Sequence, residues 1–407
     1  MEGSKTVLLV GTLDTKGAEY AYLRERLRAH GVDALLADAG VNEPVGAEPD
    51  ISRHALAAET GADPDALAAS GDRGAAVTAM AEAAEALARR LYGERRIGGV
   101  LAAGGSGGTA IATRAMRALP VGAPKLMVST MAAGNTADYV GASDVTMMAS
   151  VTDVAGVNSI SGRIMANAAA AMAGMIQAPP VELGEQQQLI GASMFGVTTP
   201  SVTHARERLE ERGYEVLTFH ATGAGGRAME GLMESGFLQG VLDITTTELC
   251  DELVGGVFSA GPDRLEAAGR LGLPQVVSVG ALDMVNFGAR ATVPPEFESR
   301  NLYVHNPSVT LMRTTPAECA ELGRQIARKL SAATGPTALF LPLGGVSMID
   351  AEGQPFHDPE ADEALFGALR EGLGDNVELI EMDNNVNDPE FADAMADKLD
   401  DYLKEAR

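Results

Sequence analysis

Between residues 97 and 116 the chain passes from an apolar run through a glycine cluster into a helical pattern. Ile97-Gly98-Gly99-Val100-Leu101 has the unbroken apolar character of a strand buried on both faces. Ala110-Ile111-Ala112-Thr113-Arg114-Ala115-Met116 has helical spacing. Gly104, Gly105, Ser106, Gly107, Gly108 and Thr109 join the two. Glycines let the backbone approach a ligand closely, a helix start leaves N–H groups unpaired, and its dipole favours negative charge. The stretch therefore predicts an α/β unit with an anion site at its turn, and Ser106 and Thr109 add hydroxyl donors. It fits neither the P-loop spacing nor the dinucleotide fingerprint. A tight turn that binds nothing stays open beside the functional reading.

A chain of 407 residues exceeds one ordinary core, so two domains are expected. A formal charge of −25 and the absence of Trp argue against nucleic acid and anionic membranes as partners. Acidic residues with few lysines suit a salt-rich cell interior, which gives a hypothesis of a halophilic host. Two cysteines, Cys250 and Cys319, form neither a disulfide framework nor a zinc motif, and both read as buried filler in helices. No metal site is expected from the sequence. No signal-peptide pattern and no bilayer-length apolar run is visible, so a soluble cytoplasmic protein is expected.

Strand and helix patterns alternate along the chain. Thr6 to Val10 reads as a buried strand, followed by the turn Gly11 to Gly17 and an amphipathic helix that ends at Gly31. Residues 42–75 read as an excursion over one face. Asn158 to Gln177 predicts an Ala- and Met-rich helix, apolar nearly all round and suited to a domain or subunit contact. A linker is placed at 178–188, between an N-terminal domain (1–180) and a C-terminal one (189–407). The second half repeats the opening pattern: strand, Gly-Thr turn, helix, glycine. The expected fold class is α/β, with two Rossmann-like subdomains, each a mainly parallel sheet with helices on both faces.

In such folds ligands bind at the carboxyl ends of the strands. Three first-half loops fall there and offer Gly11, Thr12, Asp14, Thr15, Lys16, Gly104, Gly105, Ser106, Gly107, Gly108, Thr109, Thr130 and Asn135. Lys16 would place a point charge on a phosphate, and Asp14 would hold a metal or a ribose hydroxyl. Plain helix capping by Asp14 and Thr15, and a solvated Lys16, remain as alternatives.

The second half carries His220, Asp243, Asp283, His305 and Arg313 at or beside predicted strand ends. A general-base role for His220 with Asp243 or Asp283 is one reading; a structural hydrogen-bonding histidine is the other. On the first reading these five form a second pocket across an interdomain cleft, taking a small-molecule substrate with nucleotide as co-substrate or regulator.

Taken together the motifs resemble the Tm-1-like ATP-binding family, UPF0261. They are Gly11-Thr12-Leu13-Asp14-Thr15-Lys16-Gly17, the Gly104–Thr109 loop, His220-Ala221-Thr222-Gly223, Gly280-Ala281-Leu282-Asp283, His305-Asn306-Pro307, Gly344-Gly345-Val346-Ser347 and Asn387-Asp388-Pro389-Glu390-Phe391. The resemblance runs in order over nearly the whole chain. It implies two α/β subdomains, ATP as ligand (with Mg2+ as an option) and a homodimer.

Overall fold

The computed structural model describes residues 4–179 and 187–406. The chain forms two compact units, Met1–Glu182 and Leu183–Arg407. Much of the expected linker, residues 180–186, lies outside the described residues.

The first unit runs β1 (Thr6–Gly11), α1 (Leu13–Ala29), β2 (Asp33–Asp38), α2 (Arg53–Ala57), α3 (Pro64–Ser70), α4 (Arg73–Gly93), β3 (Gly99–Gly104), α5 (Ser106–Arg117), β4 (Lys125–Ser129), α6 (Ala137–Val140), β5 (Thr146–Ala149) and α7 (Ser161–Gln177). Its five strands are all parallel, in the order β2-β1-β3-β4-β5. Alternate residues of one strand serve opposite faces. Leu8 and Val10 pack with Leu87 and Ile111 of α4 and α5, while Val7 and Leu9 pack with Leu23 and Met165 of α1 and α7. Helices thus cover both faces. Helix α7 buries Met165, Ala168, Ala169, Met172 and Ala173 within its own unit, whereas Ala170, Ala171 and Gly174 are exposed.

The second unit runs β6 (Gln188–Met194), α8 (Thr199–Glu211), β7 (Tyr214–His220), α9 (Ala224–Glu234), β8 (Gly240–Thr245), α10 (Glu248–Val254), α11 (Ala267–Leu271), β9 (Gln275–Gly280), β10 (Met284–Phe287), β11 (Leu302–Asn306), β12 (Val309–Arg313), α12 (Pro316–Ser331), β13 (Thr337–Pro342), α13 (Pro359–Gly372), β14 (Val377–Met382) and α14 (Pro389–Glu405). Six parallel strands form the sheet β14-β13-β9-β8-β6-β7. Helices α8 and α14 cover one face through Val202, Leu209, Met395 and Leu399. Cys250, Leu322, Ile326 and Leu365 cover the other, and both cysteines are buried there.

In each unit the second strand lies outside the first, and the third lies on the first strand's other side. The duplication read from the sequence therefore extends to strand order. A third sheet departs from the expectation: β10, β12 and β11 form an antiparallel ribbon. His305, read as lying at or beside a parallel strand's end, lies instead within β11, and Arg313 ends β12.

Candidate functional site

Strand order reverses between β1 and β3, and open α/β sheets bind ligands at such a switch point. Pairing of β1 with β3 runs only from Val7↔Gly99 to Leu9↔Leu101. Beyond it the strands part, and the loops that leave them border a cavity of about 360 Å³. Thr12, Asp14 and Thr15 line it from the β1 side, Gly40, Val41 and Asn42 from the loop after β2, and Gly107, Gly108 and Ile111 from α5. Leu67 and Ala68 of α3 and Arg73, Ala76, Val77 and Met80 of α4 complete the wall. The 42–75 excursion is thus part of the site and leads into α4. Its helices follow from local signals: Ser52, Asp63 and Asp72 each accept a first-turn amide, and Pro64 occupies the first position of α3.

Helix α5 begins at Ser106, four residues earlier than its apolar spacing implies. Thr109 donates the first intrahelical amide, 2.8 Å from the Gly105 carbonyl. The amides of Ser106, Gly107 and Gly108 precede it and have no acceptor in the helix, and no side chain caps them. A Cβ on Gly108 would meet nothing within 4 Å. The first turn of α5 is therefore uncapped, and its Gly107 and Gly108 border the cavity.

The thirteen residues read as ligand-binding divide. Thr12, Asp14, Thr15, Gly107 and Gly108 line the cavity. Gly11 lies against Tyr20, whose ring would stand 2.1 Å from an added Cβ. Thr109 turns inward: its buried hydroxyl bonds the Gly105 carbonyl at 2.8 Å and Ser129 at 2.6 Å. Lys16 donates its ammonium to the Val154 carbonyl. Asn135 Oδ1 accepts the Ala137 amide beside the start of α6. Gly104, Gly105, Ser106 and Thr130 sit at the same strand ends without lining the cavity.

Two carboxylates stand on the β1–β2 side. Asp14 Oδ2 accepts from the backbone amide and side chain of Asn42 at 3.3 and 3.2 Å, and its Oδ1 is buried without a partner. Asp38, fully buried, accepts the Leu13 and Gly40 amides through Oδ1, while Oδ2 has no partner. Burial raises its carboxyl above the usual range despite those two bonds, and the Asp14 charge adds to the rise.

The five second-half residues fall into separate places. Asp243 is 2% exposed; Arg264 holds it through two bonds of 2.6 and 2.7 Å, and Ser193 donates to it at 2.6 Å. Arg264 also reaches Glu248 at 2.6 Å, and Glu248 accepts the amides of Gly223 and Gly226 at 2.7 and 3.1 Å. The second-half glycine loop at 220–226 thus already holds an anion, its own glutamate. Asp283 and Arg313, 0% and 4% exposed, belong to a different buried set. Arg313 pairs with Asp362 and Asp350 at 2.6 and 3.2 Å, and Ser347 donates to Asp283 at 2.7 Å. Burial raises Asp283, Asp350 and Asp362; the Asp362 charge adds to the rise at Asp283, Asp283 and Asp362 add to it at Asp350, and Asp358 adds to it at Asp362. His220 and His305 are exposed, and among the described residues neither ring has a hydrogen-bond partner.

The molecule is therefore an α/β protein of two parallel-sheet units, with an open cavity at the switch point of the first. It belongs to the UPF0261 family. The model of the Uncharacterised protein family (UPF0261) N-terminal domain matches residues 5–180, and that of the C-terminal domain matches 187–403. A "UPF0261 protein" of Clostridium tetani is 53% identical over 397 residues, covering 97% of this chain and 98% of the relative. The ToMV resistance protein Tm-1(GCR237) of Solanum lycopersicum is 40% identical over 97% of this chain, which spans 55% of the tomato protein. Among solved structures, an S. aureus MnaA–UDP complex aligns with 67% of this chain and 78% of its own at 8% identity and a TM-score of 0.24. Among the described residues no helix is long and apolar enough to cross a membrane.

Proposed function

We propose that this protein binds ATP at the switch-point cavity of its first unit, with the phosphates at the start of α5. The observation that carries the reading is the open helix end. Three successive amides at Ser106, Gly107 and Gly108 lack intrahelical acceptors, and a Cβ on Gly108 would project into free space. The neighbouring wall of Leu67, Ala76, Val77, Met80 and Ile111 is apolar, as a base requires. Thr12, Asp14 and Thr15 add oxygens to the same lining, the kind of donors that a phosphate-bound Mg2+ takes. The family resemblance set out above implies the same ligand. The rest of the reading, a cytoplasmic homodimer in a salt-rich cell, follows from composition and that resemblance.

The test is thermal unfolding with and without excess Mg-ATP. Ligand at about a hundred times its dissociation constant stabilises the binding state by about 2.7 kcal/mol. A midpoint that does not move with ATP at any salt concentration overturns the reading.

A further inference from the structure

We infer that Arg73, carried to the cavity by α4, is the residue that grips the phosphate end of the ligand. The inference rests on the nucleotide reading above and assigns its cation, which the sequence had placed at Lys16. Lys16 is engaged by the Val154 carbonyl. Arg73 lines the cavity, and its Nη2 stands 3.9 Å from where a Cβ on Gly107 would lie, beside the first turn of α5.

Three features mark this guanidinium as one that awaits an anion. First, among the described residues it makes no hydrogen bond or ion pair. Arg53, Arg90 and Arg114 of the same unit each hold a carboxylate; Arg28 and Arg163 share the lack of a partner among the described residues, but only Arg73 of these three lines the cavity. Second, it occupies the first position of α4, where the helix dipole disfavours a cation. The adjacent Asp72 carboxylate is directed to α4's own amide, 3.0 Å from Ala75 N. Third, Gly107 and Gly108, in the uncapped first turn of α5, line the same cavity. Two positive helix ends and an unpaired guanidinium meet at one opening in a chain of formal charge −25. An anion with several oxygens satisfies all three, and a planar fork of donors matches phosphate in two-point fashion. Joined to the nucleotide reading, this makes the ligand class a nucleoside di- or triphosphate.

The test is calorimetric titration of the full chain with ATP, ADP, AMP and adenosine, using wild type, Arg73→Ala and Arg73→Lys. Arg73 is exposed, so both variants should keep the wild-type melting profile in the absence of ligand. Arg73→Ala should weaken ATP and ADP about tenfold to a hundredfold and leave adenosine unchanged, with Arg73→Lys in between. Wild-type binding of ATP with no loss in Arg73→Ala overturns this assignment alone. So does an equal loss for ATP and adenosine. A wild type that binds none of the four overturns the nucleotide reading itself, and the assignment with it.

Discussion

The hydroxyl of Tyr20 sits 3.0 Å from the carbonyl oxygen and 3.1 Å from the amide nitrogen of Ala103, where β1 and β3 part. It also lies 2.7 Å from the Val10 carbonyl. Three backbone groups left over by the split are thus served by one buried phenol, whose ionisation burial pushes upward. Tyr20→Phe should leave an amide and carbonyls unsatisfied in the core, at a cost of about 1–3 kcal/mol. Denaturant unfolding measures it, and a variant as stable as wild type would remove Tyr20 from the account of the switch point.

Two glycines of the same region separate fold from function. Gly11→Ala would drive its Cβ to 2.1 Å from the Tyr20 ring, whereas a side chain at Gly108 meets nothing within 4 Å. Gly11→Ala should therefore lower the melting midpoint without ligand. Gly108→Leu should hold that midpoint, since a glycine inside a helix is itself costly, yet lose the rise produced by Mg-ATP. Retention of the full ATP shift in Gly108→Leu would show that the cavity is not the nucleotide site.

What the sequence made legible was the parallel scaffold and the position of the open loop. Apolar runs such as Thr6 to Val10 and glycine turns such as Gly104–Gly105 are local signals, and buried parallel strands produce them directly. Side-chain direction is not local in that way. Thr109 looked like a ligand donor and points to Ser129; Lys16 looked like a phosphate contact and reaches Val154. Arg264 gave no signal at all, because its partners Asp243 and Glu248 are 21 and 16 residues away along the chain. The ribbon of β10, β12 and β11 was hidden because β11 is exposed at Tyr303 through Asn306 and lacks the strand's usual alternation.

Arg264 is the sharpest test of the second unit. It is buried with Asp243 and Glu248, so removing it strands two carboxylates out of water. Arg264→Met should cost about 3–5 kcal/mol, whereas His220→Ala, at an exposed site, should stay within about 0.5 kcal/mol. Comparable losses in the two variants would contradict this separation of a structural network from a surface histidine.

Glu230 supplies a pH dependence with a definite sign. Burial raises its carboxyl from 4.5 to about 7, against the lowering effects of Arg264 and the Leu265 amide. Between those values the native state binds a proton that the unfolded chain has released, so this group's contribution to stability falls as pH rises. The contribution is fully present below about pH 4.5 and gone above about pH 7. Glu230→Gln keeps an acceptor for the Leu265 amide, now 2.6 Å from Oε1, and removes the titration. Measured by urea unfolding, the variant should gain on wild type steadily from pH 5 to pH 7 and keep a constant margin above it. Asp251, raised by burial from 3.8 to about 7, titrates in the same interval in both proteins, so the difference between them isolates Glu230. A margin that does not change between pH 5 and pH 8 would mean that Glu230 is already ionised across that range, with Arg264 outweighing the burial.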